Sequence, residues 1–315
     1  MSLKTIRAAA DAGATWQQLT SVADTAEEHF YLAMLRSRAG DVTGAADLAD
    51  RARHLDPDRV VYAETARYLA RLATGERTDV YAAPEAFTAF ASGGGNVDLY
   101  AATHRALRDR YAKHRPGRLL DIGAGEGHGL LPSLTADVGH VDLVEPSAAR
   151  GELVAAELSR RGVSHRAYAM TAQQFSGLQE IGPWDLAQET FALLALDRQD
   201  RILLFSWLRT RVKRLLLVEF DTPELGSGLT PEWFRHVVAR YERGIREYDS
   251  DRDLVAQGFL APVLLGVLGD AAHQQHHEQP IAQWVTDLAA AGFDPAPPQW
   301  LCDYWWGPAY LIEAT

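Results

Sequence analysis

Nine residues carry the clearest chemistry in the chain: Asp121-Ile122-Gly123-Ala124-Gly125-Glu126-Gly127-His128-Gly129, a carboxylate followed by glycines at every second position. Leu119-Leu120-Asp121-Ile122 reads as the end of a buried strand. The glycines after it let the backbone turn tightly with its N–H groups facing a ligand. Asp121 stands ahead of the first glycine, where a carboxylate can meet a cationic group directly or through water. Glu126 sits where a pyrophosphate would be repelled. Glu145 ends the next apolar run, 20 residues after Gly125, at the distance for bidentate hydrogen bonds from two ribose hydroxyls. Its competing role is a helix cap ahead of Pro146-Ser147. Thr171-Ala172-Gln173-Gln174-Phe175 follows a third strand, where backbone and amide groups can read an adenine edge. Gln188-Glu189-Thr190-Phe191 follows a fourth, at the mouth of the sheet. The ligand these residues describe is a nucleoside with a cationic amino-acid end. That favours S-adenosylmethionine over a dinucleotide.

A second group of chemically competent residues is His273-Gln274-Gln275-His276-His277-Glu278, which holds three of the eleven histidines. On a helix, His273, His276 and His277 would share one face, able to present two imidazoles to one metal or one substrate. Glu278 could orient an imidazole or act as a base. Asp221, directly after the fifth strand, points to the same side of the sheet in this architecture. With two of the histidines it would make a two-His-one-carboxylate site for a divalent transition metal. Such a site suits a small-molecule acceptor of the 2-oxo acid type, because the metal would hold the carboxylate and keto oxygens and stabilise an enolate at C3. Two other readings stand beside it. In one, His276, His277 or Glu278 is a general base toward a hydroxyl or amine with no metal. In the other, the segment is an exposed polar loop ahead of Pro280.

These residues need a parallel sheet to bring them together, and the pattern from Arg118 onward supplies one. Strand candidates Arg118 to Ile122, Val141 to Glu145, His165 to Met170, Trp184 to Gln188, Arg214 to Phe220 and Ala309 to Ala314 alternate with helices. The stretch from Pro223 to Pro280 interrupts that alternation and reads mainly as helix, an inserted cap over residues 224–280. The chain before residue 80 is helical, and Leu32, Leu35, Gly40, Ala45, Ala46, Ala49, Ala52, Leu55 and Pro57 are spaced like one tetratricopeptide hairpin. Residues 81–115 read as connecting or lid helices, in which Gly93-Gly94-Gly95-Asn96 marks a hinge or a close approach of backbone to a ligand. The aromatics Phe87, Phe90, Tyr100, Phe191, Trp233, Phe234, Trp305 and Trp306 fall in segments expected around the acceptor.

Composition narrows the classes. At 315 residues and 47% apolar content the chain can bury one large core or two moderate ones. A net charge of −11 without a long basic run argues against nucleic acid as a partner. Cys302 is the single cysteine, which leaves no internal disulfide and fits a reducing compartment. No apolar run is long enough for a membrane helix, and Met1 to Ala10 lacks the order of a signal peptide, so the expected location is cytoplasmic.

On the glycine loop, Glu145 and the Trp184-Asp185-Leu186 strand, residues 116–223 and 281–315 resemble the class I S-adenosylmethionine-dependent methyltransferases. The resemblance implies a Rossmann-like α/β fold with a seven-stranded sheet and a reversed final hairpin, which Asp303-Tyr304-Trp305-Trp306-Gly307-Pro308-Ala309 fits. It implies donor contacts from Asp121, Gly123, Gly125, Gly127, Glu145, Thr171, Ala172, Gln173, Phe175, Gln188 and Glu189. The layout of helical N-terminal domain, glycine stretch, cap and Tyr304-Trp305-Trp306 looks like bacterial natural-product methyltransferases, including those that C-methylate 2-oxo acids. The N-terminal helices are the candidate surface for a homodimer. A non-catalytic donor-binding protein that uses those helices for a protein partner is the alternative of a different class. A nicotinamide-dependent dehydrogenase is disfavoured by Glu126 and by the C-terminal segment.

Overall fold

The computed structural model describes residues 2–76, 84–226, 229–269 and 277–315. In chain order its helices and strands begin with α1 (Leu3–Asp11), α2 (Trp16–Thr20), α3 (Ala26–Arg38), α4 (Val42–Leu55), α5 (Val60–Ala73), α6 (Pro84–Ser92) and α7 (Asn96–His114). There follow β1 (Leu119–Ile122), β2 (His140–Val144), α8 (Ala148–Arg160), β3 (Ser164–Tyr168), α9 (Ala172–Ser176), β4 (Leu186–Thr190), α10 (Arg198–Arg209) and β5 (Leu215–Phe220). The chain ends with α11 (Pro231–Arg246), α12 (Arg252–Val255), a π-helical turn (Ala256–Leu260), α13 (Ala261–Val267), α14 (Ile281–Ala290), β6 (Gln299–Asp303) and β7 (Pro308–Ala314). Two compact units result: Met1–Val97 with Leu225–Gln275, and Asp98–Glu224 with His276–Thr315.

The first unit is helical, and α3 is its centre. Eight consecutive residues of α3, Glu28 to Leu35, are buried, so this helix has no solvent face to speak of. Its start is fixed by Thr25, whose hydroxyl accepts from Glu28 N while the Glu28 carboxylate accepts from Thr25 N at 3.1 Å. Helices α3 and α4 form the hairpin that the small residues predict, with Ala45, Ala49 and Ala52 fully buried at the crossing and Gly40 at φ +82° in the turn. A lone hairpin of this kind needs partners. Here α11 from the inserted segment supplies one: Glu242 accepts from Val61 N at 2.9 Å and caps α5, whose own N-cap residue Arg59 makes no side-chain capping bond. In the π-helical turn, Gln257 donates to the Glu64 carbonyl at 3.0 Å and to its carboxylate at 2.7 Å. The inserted residues thus group with the N-terminal helices.

Gly93 to Gly95 have a structural reason. A Cβ on Gly94 would lie 2.9 Å from Tyr248 Cζ, with φ at +50°, and Gly95 N donates to Glu247 Oε2 at 2.8 Å. What the backbone approaches closely here is the Tyr248 ring and the Glu247 carboxylate. Gly94→Ala should therefore lower the unfolding free energy by about 1–3 kcal/mol, read as an earlier urea or thermal transition. An unchanged midpoint would remove this account of the glycines.

The second unit is a seven-stranded sheet in the order β3-β2-β1-β4-β5-β7-β6. Strands β1 to β5 are parallel and β7 runs antiparallel to both β5 and β6, which is the reversed final hairpin expected from the C-terminal residues. β1 and β5 are buried along their whole length, as strands covered on both faces must be. Trp184, Phe205, Leu208, Trp284 and Leu288 fill the core between β4, β5 and helices α10 and α14. The fourth strand starts two residues later than the sequence suggests: Trp184 makes only an isolated bridge to Val212, and regular pairing begins at Leu186. Strand order reverses between β1 and β4, so the loops after these two strands face a crevice at the carboxyl end of the sheet, where ligands of open α/β sheets bind. Among the described residues, no helix is long and apolar enough to cross a membrane.

Candidate functional site

The loop after β1 is held by the neighbouring strand and by one carboxylate. Gly123 N and Ala124 N both donate to the Val144 carbonyl at the end of β2, at 2.8 and 3.2 Å. Glu145, the next residue, accepts from Gly125 N and from Ser147 N, each at 2.9 Å. Two glycines in this loop leave no room for a side chain. A Cβ on Gly123 would sit 2.3 Å from Ala192 Cβ, and one on Gly127 2.7 Å from Leu131 Cδ1, with φ of +72° and +79°.

Behind the loop, Asp121 is buried and pairs across the sheet with Gln188. Gln188 Nε2 donates to Asp121 Oδ1 at 2.9 Å, and the Tyr111 hydroxyl of α7 donates to the other end of the same amide. Among the described residues no ion pair reaches Asp121. Burial pushes its carboxyl up to about 7; the Gln188 hydrogen bond opposes the shift and the Glu145 charge adds to it. A buried carboxyl of this kind gains when a cation arrives.

On β4 and β5 two more carboxyl groups are buried. Glu189 Oε1 accepts from Val218 N at 3.0 Å and Oε2 from Ala192 N and Leu193 N, both at 3.2 Å. Glu219 Oε1 accepts from Leu194 N at 3.1 Å. Burial drives both carboxyls above the ordinary carboxylate range; Glu189 and Glu278 raise Glu219 further, while Arg201 opposes. Arg201 itself donates to the His277 carbonyl at 2.7 Å and to Gln279 Oε1 at 3.0 Å. Above these groups the rings of Phe191, Phe220 and Tyr304 stack, with centroids 4.4 and 5.3 Å apart and planes within 15°. Trp305 and Trp306 continue the aromatic surface through the β6–β7 turn.

Five parallel strands, an antiparallel seventh inserted between the fifth and the sixth, and an acidic-glycine loop at the point where strand order reverses decide the fold. It is the class I methyltransferase fold. Solved structures similar to the chain include magnesium protoporphyrin IX methyltransferase from Synechocystis PCC 6803 with bound SAH, at 16% identity over 70% of this chain and 83% of that one, TM-score 0.46. A 1,6-didemethyltoxoflavin-N1-methyltransferase from Burkholderia thailandensis is 19% identical over 74% and 88%, TM-score 0.45. The mitomycin 7-O-methyltransferase MmcR is 16% identical over 86% and 72%, TM-score 0.48. No protein-family model and no curated protein matches the chain.

Within this methyltransferase fold the predicted site residues divide. Asp121, Gly123, Gly125, Gly127, Glu145 and Gln188 converge at the ends of β1, β2 and β4. Thr171 caps α9 in a reciprocal pair with Gln174, Ala172 packs toward the core, and Gln173 donates to Asp200 at 3.0 Å. Phe175 does not face a ligand: its ring is wholly buried against Tyr168, Trp184 and Trp207, because the short α9 turns its apolar side into the core. Glu189 likewise turns away from the donor side, since Gln188 and Glu189 alternate across the strand and only Gln188 shares the face of Asp121.

After β5, Asp221 Oδ1 accepts from Ile281 N at 2.8 Å and caps α14, where Pro280 can offer no side-chain bond. His277 is tied through its backbone, N to Leu194 O at 2.7 Å. His273 and His276 lie outside the described residues. Among the described residues no three His, Cys, Asp or Glu side chains come together as metal ligands, so the expected metal site at Asp221, His273, His276 and His277 gains nothing from this geometry. Sequence reasoning passed over Tyr111, Arg201 and Glu219. The last leaves a trace, a glutamate inside the apolar run Leu215-Leu216-Leu217-Val218-Glu219-Phe220.

Proposed function

We propose that the protein transfers a methyl group from S-adenosylmethionine to a small-molecule acceptor. One observation carries the reading: Asp121, a buried carboxyl with no ion-pair partner among the described residues, lies directly under an acidic-glycine loop at the switch point of a methyltransferase sheet. The group that fits this cradle has a cationic end for Asp121 and hydroxyls for Glu145. When bound, S-adenosylmethionine supplies an activated methyl on sulfur. The chain's own residues then have three tasks. Asp121, oriented by Gln188 and Tyr111, holds the ammonium; Glu145, already fixed against the loop, takes the ribose hydroxyls; the Phe191, Phe220 and Tyr304 rings wall the acceptor side and keep water out. Rate acceleration comes mainly from alignment of acceptor, methyl carbon and sulfur.

The finer reading, C3 methylation of a 2-oxo acid through a metal-held enolate, asks for Asp221 and two of His273, His276 and His277 as ligands. We carry forward instead a general-base reaction at oxygen or nitrogen, which asks nothing of Asp221 beyond its capping bond to Ile281 N.

Incubation with methyl-labelled donor and a panel of phenols, amines and 2-oxo acids, each with a divalent metal or a strong chelator, separates these readings. The expected result is chelator-indifferent release of S-adenosylhomocysteine with at least one acceptor. Turnover of 2-oxo acids alone, abolished by chelation, would restore the metal-enolate reaction. Tight donor binding with no turnover on any acceptor would favour a donor-binding protein whose helical unit recruits a partner.

A further inference from the structure

The turn after β4 is strained, and two buried carboxyl groups hold it there. Phe191 has φ +53°, a left-handed conformation that a bulky residue adopts only where its surroundings impose it. The surroundings here are specific. Glu189 accepts three backbone N–H groups, those of Val218, Ala192 and Leu193, and Glu219 accepts that of Leu194. Phe191 N closes onto the Val218 carbonyl at 2.9 Å, and the Leu194 carbonyl accepts from His277 N, whose own carbonyl is held by Arg201. Because Glu189 is level with Leu217 in the β4–β5 register, Glu219 falls on the same face one side chain further on, and the two carboxyls grip consecutive residues of one turn.

This turn reaches both halves of the site. Ala192 fills the space left by the missing side chain of Gly123, and the Phe191 ring tops the stack with Phe220 and Tyr304. We propose that Glu189 and Glu219 are positioning residues: through the 191–195 turn they press Ala192 against the donor loop and set the Phe191 ring on the acceptor side. The inference rests on the donor-site reading above. Neither carboxyl touches donor or acceptor; each acts through the turn.

The two glutamates differ in what they demand of a substitute. Glu189 uses both oxygens, so the single oxygen of Glu189→Gln can serve only one side, and its NH2 is left facing either the Val218 N–H or the Ala192 and Leu193 N–H groups. Glu219 accepts from Leu194 N and its carboxyl also hydrogen-bonds Glu189; Glu219→Gln can keep both, its oxygen on Leu194 N and its NH2 donating to Glu189, whereas Glu219→Leu loses both. Donor affinity, measured by calorimetry on folded protein, should fall about tenfold or more in Glu189→Gln and Glu219→Leu, and stay within about threefold of the parent in Glu219→Gln, as expected when buried N–H groups lose their acceptors. Acceptor KM should rise in the same two variants. Adding Phe191→Gly to Glu189→Gln should restore donor affinity, because glycine adopts φ +53° without strain. A general loss of stability would not be reversed by that second change.

Parent-like donor affinity and acceptor KM in folded Glu189→Gln would overturn the proposal. So would equal damage from Glu219→Gln and Glu219→Leu, the comparison that decides if Glu189→Gln does not fold. Absence of donor binding by the parent protein would instead strike the methyltransferase reading and is visible before any variant is made.

Discussion

Asp121→Asn should move two measurements in opposite directions: the free protein melts at a higher temperature at pH 8, and it binds S-adenosylmethionine less tightly. In the unfolded chain this carboxyl loses its proton near 3.8, while in the fold burial holds the proton to about 7. Across that window the folded state binds a proton that the unfolded state does not, so this group's contribution to stability falls as pH rises from about 4 to about 7 and stays low above. The asparagine removes that penalty, on the order of 1–4 kcal/mol at pH 8, and the gap between the two proteins should close toward pH 4. Binding runs the other way. A cationic ammonium needs the ionised carboxylate, so parent affinity should drop by up to about tenfold per pH unit below 7, with a proton released on binding. Above about 8 the donor's own amino group loses its charge and affinity falls again. Asp121→Asn should abolish the limb below pH 7, leave the limb above 8, and cost about 1–3 kcal/mol of donor binding at pH 7.5. A variant less stable than the parent at pH 8 would remove the account of Asp121 as a proton-holding buried carboxyl, and one that keeps the acid limb would show that Asp121 does not face the ammonium.

The glycine loop is legible in the sequence because its parts are local. Gly123 to Gly129 and Glu145 are fixed by what one strand end and the next must do, and neither depends on distant sequence. The same holds for the hairpin of α3 and α4, where small residues at Ala45, Ala49 and Ala52 report a close crossing directly. Legibility ends where a residue's role is set by elements far apart in sequence. Phe175 looks like an adenine contact by its place after β3, yet Trp184 and Trp207 surround its ring. Gly93 to Gly95 look like a ligand approach, yet the groups that approach belong to Tyr248 and Glu247, about 150 residues on, in the same helical unit.

Two neighbours in β4 show the same limit within one strand. Gln188 and Glu189 are adjacent and both polar, and alternation sends one to Asp121 and the other to the turn. The alternation is legible in the sequence, but which of the two shares the face of Asp121 is not, because that depends on which face α7 covers with Tyr111. Asp221 is a similar case. Its position after β5 is right for an acceptor-side carboxylate, and the proline that starts α14 makes it a helix cap.

Gly123→Ala should be a severely damaging single methyl group. Its Cβ would enter the space of Ala192 Cβ at 2.3 Å and would do so from a backbone at φ +72°. The left-handed conformation costs about 1–2 kcal/mol for any residue with a side chain, and overpacking in a rigid site adds about 1–3 kcal/mol. Neither neighbour can give way cheaply. Gly123 N is tied to the Val144 carbonyl at 2.8 Å, and Ala192 N to the Glu189 carboxylate at 3.2 Å. Stability should therefore fall by about 2–5 kcal/mol, measured by urea unfolding, and donor affinity in the remaining folded protein should fall about tenfold or more. The two costs can be separated. Combining Gly123→Ala with Ala192→Gly removes the overlap and leaves the backbone strain, so the double variant should recover the overpacking share and no more. Full recovery would mean that φ at this position relaxes freely; no recovery would mean that Ala192 is not what the glycine makes room for. Partial recovery is the result expected if the donor loop and the turn after β4 are fitted to one another as a single surface.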